Sequence, residues 1–291
     1  MQTGRPIRLN EPGGFISDTA HKFQRKYPTK TVYICRHISY LKSMPNRFHR
    51  MELVTGKEGL QKLTDAHVTV VGLGGVGAAC VEALARGGVG HLRLIDAGDY
   101  ELSNLNRQLF ATEGTLGQPK AEAAKARVLA INPHCEVTAE KIMVSGETNE
   151  HVLSPAPDVL IDAIDMLSPK VGMLEYAYNH KIPCIISSMG AANRTDPTKV
   201  SITDLSKTKH CRLARFIRKR LRKRGIHNGI RCVYSEEISG RNTHQEMPDF
   251  EAPSKTLDGQ ERPPLGSMSY MPPIFGFTAA AEAIQFILEK K

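Results

Sequence analysis

Cysteine is scarce and scattered in this 291-residue chain. Its six copies, Cys35, Cys80, Cys135, Cys184, Cys211 and Cys232, are nowhere closer than 21 positions. There is no C-x-x-C, so the paired-thiolate spacing of a structural zinc site is missing and no zinc is expected. No run approaches the about 20 apolar residues of a membrane span. The N-terminus carries no secretory h-region. Few cysteines and no signal peptide together point to a reducing, cytoplasmic setting. No internal repeat is visible. With 41% apolar and 24% charged residues, the composition is that of a globular protein, which excludes wholesale disorder.

Acidic residues are nearly missing from two segments. Residues 1–46 net +6, and residues 212–224 (RLARFIRKRLRKR) net +8 with no acid at all. The whole chain nets +9, so everything else is slightly acidic. Polyanions are the natural partners of such segments. The plainer alternative is a solvated tail and a solvated helix face. Residues 1–46 show no sustained period and read as a poorly ordered basic extension. Their basic, acid-poor character makes a mitochondrial address the alternative to the cytoplasm.

From residue 66 onward, strand and helix patterns alternate. Strands are expected at 67–71, 91–96, 136–140, 158–164 and 182–187, with helices at 76–86, 117–131 and 170–180 between them. Such alternation predicts an α/β fold, a Rossmann-like, doubly wound and mostly parallel sheet. After Gly190 the pattern changes. Short strands at 200–203 and 231–235 flank the basic helix, a polar loop covers 240–266, and an apolar helix spans 275–288. The expected organisation is one domain over 47–291, with a nucleotide half (66–189) and a C-terminal half (190–291).

The strongest local motif is VVGLGGVG, with Gly72, Gly74, Gly75 and Gly77, between a strand and a helix. Glycines let the backbone approach a polyphosphate, and the helix N-terminus offers free N–H groups and a positive dipole end. Asp96 ends the next strand, where a carboxylate accepts hydrogen bonds from ribose hydroxyls. This much specifies an adenine nucleotide without separating NAD from ATP. The residues that follow do separate them. NLNRQ brings Arg107, and GQPKAEAA brings Lys120. Hydride transfer needs no cationic cluster at the phosphates, whereas nucleotidyl transfer does. Asp162 and Asp165, in DAID at a strand end, could hold magnesium.

The run from Arg47 to about Ser188 resembles the ubiquitin-activating-enzyme-like adenylyltransferases. RFHRMELVTG, VVGLGGVG, LIDAGDYELSNLNRQ, GQPKA, INPH and IDAID occur in that family's order. The resemblance implies that the glycine loop, Asp96, Asn104 and Gln108 bind ATP. It also implies that Arg107 and Lys120 grip the phosphates and that Asp165 binds magnesium. Arg50 would reach into the neighbouring subunit's site, making the protein a homodimer. The reaction would be attack by a carboxylate on the α-phosphate.

The sulfur-carrier activators of this family have paired C-x-x-C motifs, which this chain lacks. Its second half instead looks like the tRNA threonylcarbamoyladenosine dehydratases. The matching segments are GAANRTDPTKVSITDLSKT, LARFIRKRLRKRGI, RCVYSEE and PPIFGFTAAAEAIQFIL. Where that family has Asp-Pro, this chain has Cys211-Arg212. The resemblance implies ATP-dependent cyclisation of a modified adenosine beside the tRNA anticodon, with the carboxylate activated as an acyl-adenylate. The docked face of the basic helix would be Leu213, Phe216, Ile217 and Leu221. Arg215, Arg218, Lys219, Arg222 and Lys223 would track tRNA phosphates. Cys232 sits at a family-matching position. A thioester role would need an accessible thiolate, while its strand setting fits a buried structural cysteine.

A cysteine desulfurase or sulfur-acceptor system is a further candidate partner, and the competing reading is an activator of a ubiquitin-like sulfur carrier, with a protein C-terminus as the carboxylate. A non-catalytic, nucleotide-sensing RNA-binding scaffold ranks below it, and an NAD oxidoreductase last.

Overall fold

The structure is a computed structural model that describes residues 46–238 and 265–290. The expected basic extension up to residue 45, and the polar loop through residue 264, lie outside the described residues. A compact unit begins at Arg50.

The strands are β1 (His67–Val71), β2 (His91–Ile95), β3 (Glu136–Glu140), β4 (Val159–Asp162), β5 (Cys184–Ser188), β6 (Val200–Asp204) and β7 (Arg231–Ser235). They form one sheet in the order β3-β2-β1-β4-β5-β7-β6. Every pairing is parallel except the antiparallel β6–β7 edge. This is the Rossmann-like, mostly parallel arrangement expected from the strand–helix alternation.

The helices longer than one turn are α1 (His49–Asp65), α2 (Gly75–Gly87), α3 (Lys120–Ile131), α4 (Leu167–Asn179), α5 (Arg212–Arg222) and α6 (Met271–Glu289). Alternate strand residues face opposite sides of a sheet. Val159 and Ile161 of β4 therefore join one buried cluster and Leu160 the other, as do Cys184 and Ile186 against Ile185 in β5. The first cluster is closed by α2, α3 and α6 through Leu84, Val128 and Phe275. The second is closed by α4 and α5 through Leu174, Ile217 and Leu221. A sheet covered on both faces needs apolar residues at successive positions, which is why these strands read as short continuous hydrophobic runs.

Two helices differ most from the sequence expectation. In α1, Gly56 adopts φ 73° and ψ 171° and breaks the helical path, and only Gly59 and Leu63 are buried. No apolar stripe marks it. The second is α6, which starts at Met271, four residues earlier than expected. By length and composition it is apolar enough to cross a membrane, although no such stretch was expected. Here it is a core helix. Met271, Phe275, Ala279, Ala280, Ala283 and Ile287 are buried, and Gly276 lies so close to α2 that a Cβ there would sit 2.2 Å from the Val76 carbonyl oxygen.

Candidate active site

A cleft of about 930 Å³ opens along the C-terminal ends of the parallel strands. That is the edge where open α/β sheets bind their ligands, and the volume is in the range of small-molecule sites. Gly72, Gly74 and Gly75 line it, with Asp96, Arg107, Gln108, Lys120 and Asp165.

The glycine loop turns from β1 into α2. Gly72 has φ +88°, and a Cβ on it would lie 2.6 Å from the Ala163 carbonyl oxygen. A side chain is thus excluded twice over, by conformation and by space. Gly74 caps α2 with no side-chain hydrogen bond, and no acid occupies the first turn. The positive end of the helix dipole is left for an anion. Gly77 does not line the cleft. A Cβ there would meet the Gly72 carbonyl oxygen at 1.8 Å, so the missing side chain lets the helix pack against the loop.

Asp96 is fixed by two backbone donors. Leu73 N–H donates to Oδ2 at 2.6 Å and Gly98 N–H to Oδ1 at 2.7 Å. A carboxylate has about four lone-pair sites, so two remain, which suits the two hydroxyls of a ribose. Gln108 is buried, and its Oε1 has no hydrogen-bond partner. A buried acceptor without a donor is costly, and a ligand amino or hydroxyl group entering the cleft would satisfy it. Asn104 is also buried, but its Oδ1 accepts from Glu101 N–H at 3.2 Å and caps a short turn outside the cleft lining.

Arg107 is braced at the rim. Its Nη1 donates to the Ser103 carbonyl at 2.8 Å and to Asn106 Oδ1 at 2.9 Å. Lys120 is the first residue of α3, with its Nζ 5.8 Å from the centre of the Tyr100 ring. Burial, then the Asp96 charge, pushes the Tyr100 hydroxyl well above its usual range, so it stays neutral beneath the cation.

The two aspartates of DAID separate. Asp165 is exposed and lines the cleft. Asp162 is fully buried, 2.8 Å from Lys170 Nζ, and accepts the Ser187 hydroxyl at 2.7 Å. Its carboxylate is consumed by these partners, which corrects the expectation that it could hold magnesium. Arg50 is exposed on the first turn of α1 and is not among the residues lining the cleft.

The basic helix also divides. Arg215, Lys219, Arg222 and Lys223 are exposed. Arg218 is not free to track phosphates as expected. Its Nη1 donates to the Thr208 carbonyl at 2.7 Å, to the Leu205 carbonyl at 3.3 Å and to the Thr208 hydroxyl. At the departure from Asp-Pro, Cys211 takes over as N-cap, with Sγ accepting from Ala214 N–H at 3.5 Å. Cys232 is fully buried, and burial pushes its thiol far above the usual range.

The cleft contains residues that the motifs did not single out, namely Asn193, Arg194 and Arg212. The first two follow β5 and the third opens α5. Asn193 and Arg194 lie within the segment GAANRTDPTKVSITDLSKT and Arg212 heads the basic run, but neither signal placed them in the cleft.

Residues 47–291 match the ThiF family. The chain is 39% identical over 249 residues to the tRNA threonylcarbamoyladenosine dehydratase of Bacillus subtilis (strain 168), covering 84% of this chain and 96% of that one. Among solved structures it is similar to the E. coli tRNA N6-threonylcarbamoyladenosine dehydratase in complex with AMP. The TM-score is 0.73 at 34% identity, over 83% of this chain and 93% of that one. The same enzyme in complex with ATP gives a TM-score of 0.72 at 33% identity with the same coverage.

Proposed function

The chain belongs to the ThiF family, and from that premise we propose that it is an ATP-dependent tRNA threonylcarbamoyladenosine dehydratase. One observation carries the reading. A glycine loop, a ribose-ready carboxylate, two cations and an exposed aspartate share one cleft, in a chain similar over five-sixths of its length to such dehydratases.

The acceptor carboxylate attacks the α-phosphorus of ATP, and the bond to pyrophosphate breaks. The carboxylate is ionised at neutral pH, so no general base is needed. Arg107 and Lys120 meet the charge that builds on the phosphorus oxygens and the leaving pyrophosphate. The modified side chain then closes on its own activated carboxyl group, and AMP departs carrying the carboxyl oxygen. The RNA has lost one water, and ATP has become AMP and pyrophosphate.

Magnesium fits the donor set. Among the described residues no three His, Cys, Asp or Glu side chains converge, while Asp165 offers one exposed carboxylate in the cleft. Magnesium is usually held by one or two carboxylates plus substrate phosphates. Bound by Asp165, it would offset negative charge on the polyphosphate.

Arg50 lies outside the cleft of its own chain, so its contribution requires a homodimer in which it reaches the partner's cleft. The exposed cations of α5 supply a surface for tRNA phosphates. The decisive experiment incubates the protein with ATP and tRNA and analyses the nucleosides by mass. Threonylcarbamoyladenosine should lose one water, with AMP and pyrophosphate released. Adenylation of a carrier protein's C-terminus, with the RNA unchanged, would overturn the reading.

A further inference from the structure

The sheet order maps the length of the cleft. Asp96 follows β2, the glycine loop β1, Asp165 β4, and the stretch 189–194 β5. Neighbouring strands are about 4.8 Å apart, so β2 to β5 spans roughly 14 Å. The β2–β1 end suits a nucleoside, and the stretch from β1 to β4 suits its phosphates. The β5 end remains for something else.

One wall of that end is Ser188, Met189 and Arg194. The other is Cys211, Arg212 and Leu213, where α5 begins. Two arginines line it, and no acid does among the described residues of this end. Both arginines are held in place. Arg194 donates through Nη1 to the Glu237 carbonyl, and Glu237 in turn accepts Thr195 N–H at 2.9 Å and Asp196 N–H at 3.1 Å. Arg212 lies 5.7 Å from the centre of the Phe216 ring.

Arg212 also breaks a rule of helix stability. It is the first residue of α5, whose first turn contains no acid. A cation there adds to the positive end of the helix dipole. Local rules are broken mainly at functional sites. An anion in this corner would meet Arg212 and Arg194 together, beside a first turn whose Ala214 N–H is already capped by Cys211 Sγ. ATP's own phosphates are placed two strands away by the glycine loop, so the anion belongs to the other substrate.

We propose that the β5 end of the cleft is the acceptor subsite, taking the RNA nucleoside whose carboxylate reacts, and that Arg194 and Arg212 hold the phosphodiester flanking it. This rests on the dehydratase reading and adds to it. The helix α5 then acts twice. Its first residue fixes the strand at the reacting nucleoside, and its exposed cations continue along the backbone.

The test compares wild type with Arg194→Gln, Arg212→Gln and Arg212→Lys. Each is assayed for KM toward tRNA and ATP, and for binding of an anticodon stem-loop bearing threonylcarbamoyladenosine across a salt series. Arg212→Gln should raise KM for tRNA about tenfold and flatten the log–log salt slope by about 0.7, the loss of one single-strand phosphate contact. KM for ATP should stay within about twofold, and Arg212→Lys should keep the slope because it keeps the charge. Arg194→Gln should act in the same direction, with circular dichroism confirming the fold. Unchanged stem-loop affinity and slope in Arg212→Gln overturns the proposal. So does a parallel rise in KM for ATP, which would assign the arginines to the nucleotide phosphates. Failure of the dehydratase reading shows separately, as wild-type protein that leaves the RNA mass unchanged. The stem-loop binding series still decides the role of Arg212 in that case.

Discussion

Lys170 Nζ lies 2.8 Å from Asp162 Oδ2, and neither side chain has any exposed surface. Asp162 ends β4, and its register partner in β5 is Ser187, whose hydroxyl donates to Asp162 Oδ2 at 2.7 Å. Lys170 also donates to the Ile164 carbonyl at 3.0 Å. The chain between β4 and α4 is thereby clamped from inside, and it carries Asp165 on its outer side.

Lys170→Met should destabilise the protein by about 3–5 kcal/mol, because it leaves a buried carboxylate without its cation. Adding Asp162→Asn should recover part of the loss, since the two positions form one network. Denaturant unfolding of both single variants and the double variant measures this. Additive losses would mean that the pair is not the clamp.

Arg107→Ala or Lys120→Ala should lower the rate of adenylation about 10²–10³-fold, the usual cost of one lost charge-stabilising contact. Both side chains are only half-buried, so the melting temperature should barely move. Near-normal AMP formation in either variant would remove that residue from the chemistry.

Arg50→Ala and Lys120→Ala proteins should each be inactive alone and partly active when mixed. In a homodimer with trans arginines, one hybrid site receives both functional residues. Absence of rescue under verified subunit exchange would mean that each site is built within one chain.

Replacing Arg215, Lys219, Arg222 and Lys223 by Gln should weaken tRNA binding and flatten its salt slope by about 0.7–0.9 per lost contact. Stability should change by less than about 0.5 kcal/mol per exposed site. Arg218→Gln should do the reverse, because its guanidinium satisfies the Thr208 and Leu205 carbonyls. It should lower stability while leaving the salt slope near that of wild type.

The cysteines Cys80, Cys135, Cys184, Cys211 and Cys232 should resist alkylation at pH 8 until the protein unfolds. All five are buried. Burial pushes the thiols of Cys135 and Cys184 up to about 11, and those of Cys80 and Cys232 higher still. A raised value keeps the unreactive neutral thiol through the whole range below it. Peptide mapping after iodoacetamide checks this, and Cys232→Ser should remain active. Metal analysis should find no stoichiometric zinc, and one zinc per chain would revive the sulfur-carrier reading.

The central strands β1, β4 and β5 were legible because burial on both faces leaves no choice but apolar residues, and the glycine loop because its backbone geometry admits few alternatives. What stayed hidden depends on which neighbour a side chain finds. Asp162 and Asp165 look equivalent in DAID, yet one meets Lys170 and Ser187 inside and the other meets solvent. Arg218 looks like its basic neighbours, but its position turns it toward the turn at Thr208. Helix α1 has no apolar stripe to announce it, and Gly56 interrupts its period. Arg194 and Arg212 sit in segments the sequence marks, but only the topology brings them into the cleft.

The contact between the glycine loop and α6 has a consequence in time. A Cβ on Gly75 would sit 2.7 Å from Pro272 Cβ, so Pro272 forms the floor behind the loop, nearly two hundred residues later in the chain. At about 5–20 residues per second of synthesis, the loop waits roughly 10–40 s for that floor to be made. Contacts of such long sequence separation also form late in folding. A nascent chain thus carries the whole motif well before it can hold a nucleotide, and a fragment cut to residues 66–189 would inherit the signature without the site.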